Sequence, residues 1–175
     1  MGFDLSGKNP IIHIPEEDFK ILIKYDHEKY DSWTDRQKAM EDNGEQDKYW
    51  AEYNEFQNAN PGIYFRNNVW WWRPLWDYVC ANCDHFLTED DMDAGSWNNG
   101  SFINKAKSKR IARTLRKLID EGHTQMYQDS YMDWADKAKE SDKEDSKWMS
   151  QYPFRVENVE NFAIFSDESG GFWIC

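Results

Sequence analysis

The sequence predicts an α+β, mainly α fold: a single compact helical domain spanning residues 1–175, with an aromatic-rich core and a small β-hairpin. Three observations carry that prediction. Ten Trp, nine Tyr and ten Phe among 175 residues supply large apolar surfaces that disordered chains lack, although mean hydropathy is −0.98 and 31% of residues are charged. Apolar side chains recur at helical spacing in most long segments. Asn99-Gly100, between Trp97 and Phe102, is the residue pair that a type I′ hairpin turn demands. A chain of this length buries roughly two-thirds of its unfolded surface, enough for a core without disulfide staples.

Residues 1–10 alternate small and apolar groups and stop at Pro10, which predicts a short strand with Phe3 and Leu5 on one side. Pro15-Glu16-Glu17 opens a helix that places Phe19, Leu22, Ile23, Tyr30 and Trp33 on one stripe. A second helical run over residues 34–56 is interrupted at Asn43-Gly44 and carries Tyr49, Trp50, Tyr53 and Phe56. Residues 58–62 read as a loop. Pro74 disfavours a helical Arg73, so the segment before it is extended and a helix covers residues 74–87, with Leu75, Val79, Cys83 and Phe86 inward. Residues 88–95 read as an acidic loop. Asn104 caps a basic helix whose core side is Ile111, Leu115, Leu118 and Ile119, and which Gly122 ends. A further helical region over residues 124–149 carries Met126, Tyr127, Tyr131 and Trp134, then an exposed charged stretch at residues 136–147. The last helix, residues 156–166, buries Val159, Phe162, Ala163 and Ile164. Gly170-Gly171 stops it, and the apolar tail Phe172-Trp173-Ile174-Cys175 must be buried or paired.

The formal net charge is −12, yet residues 103–123 hold seven bases (Lys105, Lys107, Lys109, Arg110, Arg113, Arg116, Lys117) against Asp120 and Glu121. Such a stripe can attract a small anion, while the overall charge repels long polyanions and argues against general nucleic-acid binding. No apolar run approaches the ~18 residues of a membrane span and no signal-peptide pattern leads the chain, so no membrane partner is expected. Three cysteines, an odd count, point to a reducing cytoplasm.

Cys80-Ala81-Asn82-Cys83 has the spacing of half a zinc site with His85 nearby, but lies within a predicted helix and lacks two further ligands. Buried packing is the simpler reading, and no metal is expected. The four His form no HExxH pair, and no GxSxG elbow or Gly-rich phosphate loop occurs. No catalytic residue and no cofactor follow from these motifs.

The remaining constellation is aromatic and basic. If extended, Trp70, Trp71 and Trp72 cannot all enter one core, because successive side chains alternate faces. At least one then lines a cleft. Arg66 and Arg73 bracket them and Asn67-Asn68 adds amide donors and acceptors, a set able to stack a base and hold a phosphate. With Lys109 and Arg113 of the basic helix, these residues are the candidate ligand site.

The opening MGFDL, the block GIYFRNNVWWWRPLWDYV and the close YPFRVENVENFAIFSDESGGFWIC resemble a family of uncharacterised bacteriophage and prophage proteins. The resemblance covers residues 1–10, 62–123 and 150–175, leaving 11–60 and 124–149 as variable helical insertions. It implies a small phage accessory protein acting in the cytoplasm of the bacterial host, and assigns no catalytic residue. Two functions are then expected to compete. One is binding of a small anionic, nucleotide-like ligand, such as a signal of host defence. The other is a protein-interaction factor whose acidic, aromatic surface blocks a host protein, with homo-oligomerisation left open.

Overall fold

The computed structural model describes residues 2–140 and 142–175; Met1 and Ser141, which fall within the expected first strand and second insertion, lie outside the described residues. In chain order the elements are β1 (Gly2–Gly7), α1 (Lys20–Lys24), α2 (Trp33–Asp42), α3 (Gln46–Ala59), β2 (Tyr64–Asn68), α4 (Val69–Cys83), α5 (Glu89–Ala94), β3 (Ser101–Asn104), α6 (Lys105–Asp120), α7 (His123–Lys139), α8 (Glu144–Met149), α9 (Val156–Glu168) and β4 (Gly171–Ile174). The class is α+β, mainly α. The chain forms two compact units, one comprising Ile12–Pro61 and the other Gly62–Cys175 with the segment that ends at Ile11. In place of one aromatic core there are two, one in each unit.

The larger unit is built on an antiparallel sheet of order β2-β1-β4-β3. Alternation decides its faces. Phe3, Leu5, Ile103, Phe172 and Ile174 are buried, whereas Trp173 is exposed and packs on Phe102 across the opposite face, ring centroids 4.5 Å apart. The core side meets α4, α6 and α9. Leu75, Val79, Cys83, Ile111, Leu115, Val159 and Phe162 are buried there, as their spacing predicts, while Ile164 is exposed. α6 and α9 approach closely because Ser108, Ala112 and Ala163 are small, and the buried Ser108 hydroxyl donates to the Ser166 carbonyl. Gly170 and Gly171, at φ 66° and 94°, turn the chain from α9 into β4 where a side chain would be strained.

Three local expectations are corrected. Trp70, Trp71 and Trp72 are helical, because Asn68 caps α4 at its own side-chain oxygen (3.0 and 3.1 Å to the Trp70 and Trp71 amides) and the helix runs through Pro74. Proline removes one ladder hydrogen bond, to the Trp70 carbonyl, but burying Trp72 and Trp76 outweighs it: a large aromatic contributes up to about 4–6 kcal/mol. Residues 89–94 are not an acidic loop but α5, since Thr88 and Asp91 form a reciprocal capping box. Finally, Asn99-Gly100 turns no hairpin. Gly100 does adopt φ 80°, but its amide donates to Ile174 and β3 pairs with the distant β4, which offers buried apolar partners that the residues before Gly100 lack.

The smaller unit folds around Phe19, Leu22, Tyr25, Met40 and Tyr49. The first predicted helix is broken here into the short α1 flanked by 3-10 turns at Glu16–Asp18 and His27–Lys29. Ile23 is exposed, and the break between α2 and α3 falls at Gly44, φ 63°. Polar groups do much of the joining. Glu52 accepts from the Ile21 and Leu22 amides at the start of α1 (2.8 and 3.3 Å), and buried Asn60 accepts from His13 and Ile14 and donates to the Ile14 and Phe56 carbonyls.

Candidate functional site

Because Trp70, Trp71 and Trp72 are successive residues of a helix, they point roughly 100° apart and meet three different surroundings. Trp72 is fully buried between Phe3 and Trp76, with centroids 5.2 Å from each, and its indole N–H donates to the Gly95 carbonyl at 2.6 Å. Trp70 is half-buried against Trp148 and Tyr152, 5.1 and 4.7 Å away. Trp71 lines an open cleft of about 320 Å³ with Asn67, Arg155, Glu157, Asn158 and Asn161. Its polar wall is already organised: Asn67 donates to Asn158 at 2.9 Å, and Asn158 donates to the Trp71 carbonyl at 3.3 Å.

Of the residues expected to bind a ligand, only Asn67 and Trp71 share this cleft. Arg66, on β2, faces Asp4 at 3.4 Å. Asn68 is engaged as the α4 cap, and Arg73 is exposed one turn before Asp77. Lys109 of α6 pairs with Asp167 of α9 at 2.7 Å, and Arg113 donates from Nε to the Lys109 carbonyl at 3.3 Å. Sequence reasoning missed Arg155, Asn158 and Asn161. Arg155 immediately precedes α9 and Asn158 and Asn161 lie in its first two turns, three residues apart and so on adjoining faces, but nothing local assigned that face to β2.

The basic stripe is largely neutralised within the protein. Asp167 receives both Lys109 and Arg116, at 2.7 and 2.6 Å. Burial alone would raise its carboxyl, but those two hydrogen-bonded cations hold it below the ordinary carboxylate value. Lys107 pairs likewise with Asp91, and Arg110 lies over the Phe86 ring, 4.1 Å from its centroid.

A second group of aromatic and methionine side chains lies on α7 and α8. On α7, Tyr127, Tyr131 and Trp134 stand at i, i+4 and i+7, with successive ring centroids 6.1 and 5.4 Å apart. Their inner edges rest on Tyr78 and Phe154, 4.8 Å from Tyr127 and 6.0 Å from Tyr131 respectively. Their outer parts are open: Tyr127 is 38% exposed, Trp134 42% and Trp148 of α8 53%. Met126, Met132 and Met149 are exposed as well. Asp77 precedes Tyr78 on α4. Desolvation by surrounding protein raises its carboxyl while Arg73 pulls it down, and its charge helps push the Tyr127 and Tyr131 phenols upward after burial has done most of that work, Tyr131 to about 12.

Cys83 is buried and Cys80 half-buried on α4, and burial pushes both thiols up to about 12, the reverse of an activated nucleophile. Among the described residues no group of three or more His, Cys, Asp or Glu could hold a metal ion, and no helix is long and apolar enough to cross a membrane. Comparison with protein-family models, with curated proteins and with solved structures returned no match.

Proposed function

We propose that this protein is an interaction factor that binds a basic protein partner through the aromatic, methionine-bearing surface of α7 and α8. One observation carries the reading: Met126, Tyr127, Trp134, Trp148 and Met149 are all exposed on those two helices, in a chain of net charge −12. Aromatic and Met side chains are enriched at interfaces, and Met adapts its shape to a partner. The acidic field would steer a basic protein towards that surface. The resemblance to bacteriophage proteins would make the partner a protein of the bacterial host, met in its cytoplasm. The internal neutralisation of Lys107, Lys109 and Arg116 favours this reading over an anion receptor on the basic helix.

The test is quantitative capture from a bacterial lysate by the native protein and by a Trp134→Ser, Trp148→Ser variant, each at low and high salt. The expected result is a basic protein retained in near-stoichiometric amount by the native chain, released by salt and lost from the variant. Equal capture by both chains would contradict the reading.

A second reading, a small anionic, nucleotide-like ligand, is favoured by a different observation: Trp71 and Arg155 share one cleft with three Asn side chains. There a base would stack on Trp71, worth about 1–3 kcal/mol, and Arg155 would hold a phosphate. A thermal-shift panel of mono-, di- and cyclic nucleotides tests it. At least one should raise the midpoint of the native chain and not of Arg155→Ala, and a flat panel removes this reading.

A further inference from the structure

We propose that the smaller unit binds a small aromatic carboxylate, in the cavity of about 310 Å³ lined by His27, Tyr30, Asp31, Ser32, Trp33 and Arg36. All six residues belong to that unit, so the proposal goes beyond the interaction reading and either can fail without the other. Arg36 of α2 carries the inference. Its guanidinium rests over two rings, 4.9 Å from both the Trp33 and Tyr49 centroids, and donates to the Tyr49 phenol. Its Nε is buried with no hydrogen-bond partner, and no carboxylate among the described residues stands within ion-pair distance of the group. Other half-buried cations are better served: Lys107 holds Asp91 and Lys109 holds Asp167. A guanidinium drawn partly out of water without an anion is stabilised by receiving one.

The other walls select among anions. The cavity is at the small end of the range that ligand pockets occupy, which suits a single ring with one charged group. The guanidinium N–H groups not given to Tyr49 can meet carboxylate oxygens, the pairing for which arginine is suited. Tyr30 and the exposed Trp33 offer rings against which a planar group packs. Ser32 is already engaged, since its hydroxyl donates to Asp35 at 2.6 Å, and His27 lies 3.1 Å from Asp26. Arg36 is therefore the cation that an incoming anion meets. Asp31 lines the same cavity, and its charge repels a doubly charged phosphate more strongly than a singly charged carboxylate. A monoanion carried on an aromatic ring is the class that fits, and benzoate is its simplest member.

The experiment titrates the full chain with benzoate, benzamide and phenyl phosphate, followed by ligand-observed NMR. Arg36→Gln and Asp31→Asn are compared with Lys38→Gln, which removes a unit charge from an exposed position on the same helix. Benzoate should bind the native chain at millimolar concentration or below, more tightly than phenyl phosphate, and benzamide should not bind. Arg36→Gln should weaken benzoate by about tenfold and Lys38→Gln by no more than about twofold, while Asp31→Asn tightens it by about twofold. Benzamide binding as well as benzoate, equal losses from Arg36→Gln and Lys38→Gln, or no benzoate binding to the native chain would overturn the site. Tighter binding of phenyl phosphate would overturn the assignment to a carboxylate. Arg36→Gln also removes the contacts to Trp33 and Tyr49, so its result counts only where thermal unfolding stays cooperative. Asp31→Asn changes an exposed position and decides the matter otherwise: tighter benzoate supports the site, and unchanged or weaker benzoate contradicts it.

Discussion

Two sets of tryptophans in the larger unit share a residue type and differ in every physical respect. Trp72 and Trp76 stack on one another inside the core, with their indole N–H groups donating to the Gly95 and Met92 carbonyls at 2.6 and 2.8 Å. Trp134 and Trp148 present their rings at the surface of α7 and α8, and their N–H groups make no hydrogen bond among the described residues. The inner pair is satisfied and dry, as a structural aromatic must be. The outer pair keeps both apolar area and a donor in reserve, as a binding aromatic does. Aromatic content therefore divides into a part that makes the fold and a part that the fold displays.

The sharpest way to break this division is to truncate one member of each set. Trp72→Ala should cost about 3–5 kcal/mol in urea unfolding, because a fully buried indole leaves a cavity and an orphaned Gly95 carbonyl. Trp134→Ala should change stability by no more than about 0.5 kcal/mol. Similar costs for the two would show that the outer ladder is core after all.

Next in size is Gly95→Ala. A Cβ there would lie 2.0 Å from the Trp76 indole nitrogen, so either the indole or the turn after α5 must move. A loss of about 1–3 kcal/mol is expected, with reduced near-ultraviolet circular dichroism from the disturbed Trp72 and Trp76 pair. An unchanged midpoint would mean that the inner pair is less tightly held than its geometry indicates.

Smaller effects come from two aspartates shifted in opposite senses. Asp167 is held below the ordinary carboxylate value by Lys109 and Arg116 despite its burial. Its contribution is therefore present above that ordinary value and is lost as pH falls through the lowered one. Asp167→Asn should cost about 1 kcal/mol at neutral pH and less in acid. Asp77 is raised by desolvation, so its ionisation disfavours the folded state as pH rises from the ordinary value through the raised one. Asp77→Asn should leave the neutral-pH midpoint unchanged or higher, and thermal melts across pH 3 to about 7 check both signs.

How far the sequence carries this picture depends on whether the deciding interactions are local. The cap at Asn104 opens a run whose apolar spacing is legible without tertiary knowledge, and α6 and α9 stand where that spacing places them. The expected extended Trp70 to Trp72 segment illustrates the opposite case. The local penalty before Pro74 is real, but it yields to burial of Trp72 against Phe3, a residue 69 positions earlier. The expected hairpin fails for the same reason, since β3 finds its partner at the C-terminal end of the chain. Of the expected ligand residues, Asn67 and Trp71 meet across a cleft, while Lys109 is drawn to Asp167 on a helix that local sequence could not pair with it. The α7 ladder was visible as helical spacing, but whether its outer edges would be covered depended on packing alone.

The central claim is that the outer aromatics are an interface. Oxidative footprinting of the full chain in bacterial lysate and in buffer, normalised to the exposed Trp97, tests it most directly. The account predicts that Tyr131, Trp134 and Trp148 lose reactivity in lysate while Trp97 and Trp173 do not. Equal reactivity of Trp134 and Trp148 in the two conditions, or protection confined to Trp71, would contradict it.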